Sequence, residues 1–134
     1  MQSMRIVLQP DSPVPLHAQI AEGIRLAIAK GQINPGDQLP PVRQLSVDLK
    51  VNSNTVARVY TDLERAGVLE TRRGKGTFVR ERTEVGSEEV RARRLRSLLR
   101  AFVTGCAQEG YSFSEVREAL AEMSGGAREE EEES

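Results

Sequence analysis

VRQLSVDLKVNSNTVARVYTDLERAGVLETRRGKGTFVR, residues 42–80, is the stretch whose reading decides the fold. Val42, Leu45 and Leu49 form a short helical apolar pattern that ends near Lys50. Val51-Asn52 interrupts it, and Asn52 is a good N-cap for a second helix. In that helix Val56, Val59, Tyr60 and Leu63 recur at i, i+3, i+4 and i+7, and Gly67 closes it. Val68 to Thr71 and Thr77 to Arg80 are β-compatible runs. The two glycines of Arg72-Arg73-Gly74-Lys75-Gly76 between them predict a hairpin with a basic tip.

On the N-terminal side, Pro35-Gly36 is turn chemistry, because proline presets φ and glycine accepts φ > 0. Before it, Leu16, Ile20, Ile24, Ala27 and Ile28 make one apolar stripe. Pro15 fits a first helical turn and Gly31 a C-terminal cap, so the spacing predicts a helix over 15–30. Arg5 to Leu8 is a short apolar run readable as an edge strand. Helix, helix, tight turn, helix, hairpin is the order of a winged helix-turn-helix, assigned to 1–80.

On the C-terminal side, 81–86 is a polar linker. Ser87 followed by Glu88 and Glu89 is a favourable helix start. Leu95, Leu98, Leu99, Phe102 and Cys106 line one face of the helix that follows, to about Glu109, where Gly110 breaks it. Ser112 and Glu115 form a capping box with Tyr111 and Val116 as its staple, and Phe113, Val116, Leu120 and Met123 give the last helix its stripe. Residues 87–124 thus read as a two-helix appendage. Gly125-Gly126 and the glutamates at 129–133 read as a disordered acidic tail over 125–134. The fold class is mainly α with a small β-hairpin: an N-terminal winged helix-turn-helix plus a short C-terminal helical dimerisation appendage.

The totals exclude several functions. No run of about 18 apolar residues exists, so no membrane helix is expected. Residues 1–10 do not read as a secretory signal. Cys106 is the only cysteine and His17 the only histidine, so neither an internal disulfide nor a zinc site can be assembled. The same shortage argues against a histidine-dependent catalytic pair. No enzyme activity and no cofactor are expected, and a lone thiol fits the cytoplasm. His17 falls in a first helical turn, and Cys106 continues an apolar stripe as a small hydrophobe. The net charge of −1 hides an asymmetry: residues 1–80 carry eleven Lys/Arg against seven Asp/Glu, and residues 81–134 eight against thirteen. A basic half before an acidic one hints at nucleic acid.

In this motif the third helix enters the major groove, and its first residues meet base edges. Those residues are Asn52, Ser53, Asn54 and Thr55, with Arg58 about a turn later. Asparagine can address adenine bidentately, and Ser and Thr are adaptable. Arg43 starts the second helix, where it opposes the helix dipole, so a phosphate or guanine contact explains it better than local stability does. Arg72, Arg73 and Lys75 suit phosphates or the minor groove. The alternative is a winged helix that serves as a protein-interaction module. The basic wing and the Asn-rich helix start weigh against it.

Pro15 to Val79 resembles the GntR family of bacterial regulators. The resemblance is carried by Ile33-Asn-Pro-Gly-Asp-Gln-Leu-Pro40, Arg43 to Leu45, Asn54-Thr55-Val56, Leu63-Glu64, Gly67 and Gly74-Lys-Gly-Thr-Phe-Val79. The short helical remainder is similar to the YtrA-like branch, whose two-helix appendage serves dimerisation. The resemblance implies a homodimeric transcription regulator, more often a repressor, that binds double-stranded operator DNA. It implies contacts from Arg43, from Asn52 to Thr55, and from a wing tip of Arg73 and Gly74. Pro41 stands where many relatives have serine, which predicts a weaker cap on the second helix. Ser53 and Ala57 stand where some have arginine, so operator preference should differ from theirs. A drug-sized pocket is about 300–1,000 Å³, which the residues after the wing are too few to enclose, so a small-molecule effector is expected between domains or subunits.

Overall fold

The computed structural model describes residues 4–81 and 86–133, with side chains as far as Gly125. The chain divides into the units Met1–Arg82 and Thr83–Ser134. The first holds α1 (Leu16–Ala29), α2 (Val42–Leu49), α3 (Ser53–Arg65), β1 (Leu69–Arg72) and β2 (Gly76–Val79). The second holds α4 (Glu88–Gln108) and α5 (Phe113–Glu133).

The apolar periodicities become one core. Ile20, Ile24 and Ala27 of α1 meet Val56, Val59, Tyr60 and Leu63 of α3. Leu45 enters from α2, Leu69 and Val79 from the hairpin, and Ile33 and Leu39 from the loop before α2. Fully burying a side chain of this size contributes roughly 1.5–3 kcal/mol, which suffices to fix three helices of eight to fourteen residues. No buried side-chain nitrogen or oxygen among the described residues lacks a partner. Tyr60 shows how: its hydroxyl donates to the Pro40 carbonyl at 2.6 Å, tying α3 to the entry of α2. Burial pushes its phenol well above the ordinary tyrosine range.

The turn between α2 and α3 is a Schellman motif. The amide of Val51 donates to Ser46 O and that of Lys50 to Val47 O. Lys50 sits at φ 57°, alone among the described non-glycine residues in having positive φ. Asn52 follows at once as the N-cap of α3, its Oδ1 accepting from the Asn54 amide at 2.8 Å. α2 itself starts at Pro41 with no side-chain cap bond, as its missing serine predicts.

β1 and β2 pair antiparallel, from Leu69↔Val79 to Arg72↔Gly76. The far edge of β2 is occupied by the loop before α2: Leu39 donates to Thr77 O, Val79 to Asp37 O and Gly36 to Val79 O. Arg5 to Leu8 is a correction, for it is not a strand. Met4, Ile6 and Leu8 pack on the core, and Ile6 fits against Gly23, where a Cβ would lie 2.9 Å from its Cγ2. The apolar run is real, but it reports a segment lying on a helix rather than a sheet edge. The Gln19 carboxamide holds the turn after it, bonding Gln9 at both backbone atoms and the Val14 carbonyl.

In the second unit Ser87 caps α4 by accepting from the Val90 amide. The capping box before α5 is complete, with Ser112 N to Glu115 Oε2 at 2.7 Å and Glu115 N to Ser112 Oγ at 3.1 Å. α5 continues to Glu133 rather than stopping near Ser124, where the acidic tail is read from the sequence. Ala, Arg and Glu are strong helix formers, and they propagate the helix past two glycines costing about 1 kcal/mol each. Residues 82–85 of the predicted linker lie outside the described residues.

Candidate nucleic-acid interface

Three places in the first unit carry the predicted contacts, and each is built differently. At the start of α3, Asn52, Ser53 and Asn54 are exposed and Thr55 is half-buried. Asn52 spends its carbonyl oxygen on the cap, which leaves its amide NH₂ outward. The side chains of Ser53 and Asn54 make no hydrogen bond among the described residues, so their donors and acceptors are open to a base edge. A turn later Arg58 is exposed but lies 3.8 Å from Asp62, which Arg65 also approaches at 3.7 Å. Exposed i,i+4 pairs of this kind are worth only tenths of a kcal/mol, so a phosphate can displace the carboxylate. Arg43, in the first turn of α2, is exposed and has no ion-pair partner among the described residues. Its backbone is held by Ser46, whose hydroxyl donates to the Arg43 carbonyl at 2.8 Å.

The wing separates its basic residues. Arg72 lies over the Phe78 ring at 4.2 Å and donates through Nε and Nη2 to Glu70 Oε1 at 3.0 and 2.9 Å. It is half-buried and braces the hairpin. Arg73, Gly74 and Lys75 form the exposed tip. Lys75 N donates to Arg72 O, and Gly74 takes φ 77°, the positive value a tight turn needs at its third residue. The tip is held from outside the hairpin by Gln38, whose Nε2 donates to Lys75 O at 2.8 Å. A Cβ on Gly76 would lie 2.6 Å from that same Nε2. Gln38 lies in the 33–40 motif but not among the expected contact residues, for it stands thirty-seven positions from its partner.

The dimerisation candidates present one surface. Leu95, Leu98, Leu99 and Phe102 are 46–61% exposed and Cys106 is half-buried. α4 has no buried residue. Beside them Phe102, Cys106, Tyr111, Val116, Leu120 and Met123 line an open groove of about 420 Å³ between α4 and α5. Among the described residues no cluster of His, Cys, Asp and Glu could hold a metal, and no helix is long and apolar enough to cross a membrane.

Residues 16–79 match the family described as bacterial regulatory proteins, gntR family. An HTH-type transcriptional regulator of Bacillus subtilis, YhcF, is 38% identical over 112 residues, spanning 84% of this chain and 92% of that protein. The transcriptional repressor YtrA of the same organism is 32% identical, spanning 89% of this chain and 92% of its own length. Among solved structures, AraR(DBD) in complex with operator ORX1 superposes at a TM-score of 0.51 with 29% identity, covering 57% of this chain and 95% of that one.

Proposed function

The chain belongs to the gntR family of bacterial regulatory proteins, the DNA-binding transcription regulators, and on that premise we propose that it is a homodimeric repressor occupying a pseudo-palindromic operator. In this reading Asn52 to Thr55 enter the major groove at the start of α3. Asn54 and Ser53 read base edges, Arg43 and Arg58 hold phosphates or a guanine, and Arg73, Gly74 and Lys75 take the flank. The observation that carries it is the α3 start, where a capped helix presents unbonded polar side chains to solvent. A merely structural first turn uses Asn52 as its cap but has no use for the Asn54 side chain. The repressor assignment is supported by the likeness to YtrA, which is a transcriptional repressor and is matched over nearly its full length.

Dimerisation rests on the second unit. A helix hairpin with four large hydrophobic residues of α4 about half exposed buries too little to hold its own shape. A second copy covers that face with a two-fold arrangement, and the groove between α4 and α5 is part of the same surface rather than an effector cavity. Any effector would then lie between subunits, and the protein would work in the cytoplasm, beside the chromosome. Selection of DNA from a random pool by the purified full chain tests the whole reading. The enriched sequences should be two-fold symmetric, with half-site centres about 10 bp or a multiple apart. Enriched sites without symmetry would refute the dimeric operator.

A further inference from the structure

The α4 helix carries a second pattern besides its apolar stripe. Arg91, Arg93, Arg94, Arg96 and Arg100 fall within ten residues, and all are exposed. None of them has an ion-pair partner among the described residues. Three of them, Arg93, Arg96 and Arg100, sit at i, i+3 and i+7 and share one stripe of the helix. At 100° per residue this stripe points away from the side bearing Leu95, Phe102 and Cys106, so a partner copy seated on the apolar face leaves it open.

Local stability does not account for this arrangement. Arg93 with Arg96 and Arg96 with Arg100 are like-charge neighbours at helical contact spacing, which destabilises a helix. Arg96 and Arg100 have no carboxylate three or four positions away in either direction. Arg91 also lies in the first turn, where the helix dipole disfavours cations. A surface that concentrates like charge against these costs fits a multivalent anion. The stripe runs about 10 Å along the axis, a length comparable with successive phosphates on a nucleic-acid strand. The guanidinium fork binds phosphate oxygens bidentately, which a solvated lysine face would not do as well.

We propose that the Arg93, Arg96 and Arg100 stripe is a second DNA-binding surface, one that holds backbone phosphates without reading sequence. The inference rests on the first unit binding DNA. Once that unit is seated, DNA is present at the high local concentration of a tethered ligand, and three arginines per protomer suffice to capture it. The chemistry is backbone neutralisation with counterion release, so it adds affinity and salt dependence but no base preference.

The test compares the full-length protein with the variant Arg93→Gln, Arg96→Gln, Arg100→Gln on a mixed-sequence DNA duplex of roughly four helical turns, about 40 bp, across a salt series. Glutamine matches arginine closely in helix propensity, so the helix is kept. The slope of log K against log salt should flatten by about two to three units per protomer, with at least a tenfold loss of affinity at low salt. Arg96→Gln alone should remove about one unit. Replacing the three arginines with lysine should restore most of the slope. An unchanged slope in the glutamine variant overturns the proposal and makes the stripe a solvated face. Tighter binding by the variant also overturns it, because the stripe then holds the chain's own glutamates instead. If Arg73→Gln with Lys75→Gln flattens the slope while the stripe variant does not, the first unit's reading stands and this inference fails. A wild-type protein without salt-dependent binding refutes both.

Discussion

The two units of this chain are built from similar material, helices with one apolar face, and use it in opposite ways. In the unit Met1–Arg82 the faces of α1 and α3 close on each other, and Ile20, Ile24, Val56 and Val59 are excluded from water. In the unit Thr83–Ser134 Leu95, Leu98 and Phe102 remain more than half exposed, and no residue of α4 is fully buried. The difference lies in the number of elements converging on a point. Three helices, a hairpin and a loop surround the first core, whereas within its own unit α4 packs against α5. Amphipathicity tells a helix that it must be covered; the neighbours decide whether its own chain can do it. The first unit therefore owns its stability, and under the proposed dimer the second takes its own from a partner copy.

The largest expected effect tests the first half of that contrast. Ile24→Ala removes a fully buried side chain and should cost about 2–5 kcal/mol, the spread reflecting how far the site collapses. Chemical denaturation should show the loss at every protein concentration. Phe102→Ala, on the exposed face of α4, should do the reverse. It should barely change stability in the dilute monomer yet weaken self-association by roughly 2–4 kcal/mol, as central aromatic anchors of an interface do. Sedimentation over a dilution series reads this directly. A concentration-independent loss in Phe102→Ala would mean the second unit has a core of its own, and the contrast would collapse.

A smaller effect separates reading from holding within the first unit. Asn54→Ala should weaken operator binding by about 1–3 kcal/mol while leaving mixed-sequence binding nearly intact. Equal losses on both DNAs would assign Asn54 to the structure of α3. Tyr60→Phe leaves the half-buried Pro40 carbonyl without its donor, which should cost about 1–2 kcal/mol of unfolding free energy with little change in dimer affinity.

What was legible in the sequence divides along the same physical line. Local signals were read to within a residue or two everywhere but at the end of α5, which runs to Glu133 instead of stopping near Ser124. Asn52, Ser87 and the Ser112–Glu115 box cap the helices they were expected to cap, and Gly74 takes the positive φ its turn requires. Long-range signals were not. Nothing near Gln38 announces that it will brace a wing thirty-seven residues on, and nothing in Tyr60 points to Pro40. The capture of Arg72 by Glu70 had a visible cue, because residues two apart on a strand share a face. Arg5 to Leu8 was misread because a short apolar run alone does not distinguish a strand edge from a segment lying on a helix. The arginines of α4 were hidden by summation, since the glutamates of the same half outnumber them.

The smallest expected effect is a gain, and it probes a place where sequence gave no warning. Lys50 occupies the left-handed region at φ 57° as the last link of the Schellman turn. An L side chain there brings Cβ against the carbonyl that follows, at about 1–2 kcal/mol, a cost glycine avoids. Glycine also loses more chain entropy on folding, which takes back roughly half of that. Lys50→Gly should therefore stabilise the first unit by about 1 kcal/mol, a rise of several degrees in a unit of this size. The gain should appear only in the thermal transition that is independent of protein concentration. Under the proposed dimer a second transition moves with concentration as the α4–α5 surfaces of the two copies part, and it should stay where it was. If both transitions rise together, the two units melt as one body and the division argued from their burial is wrong.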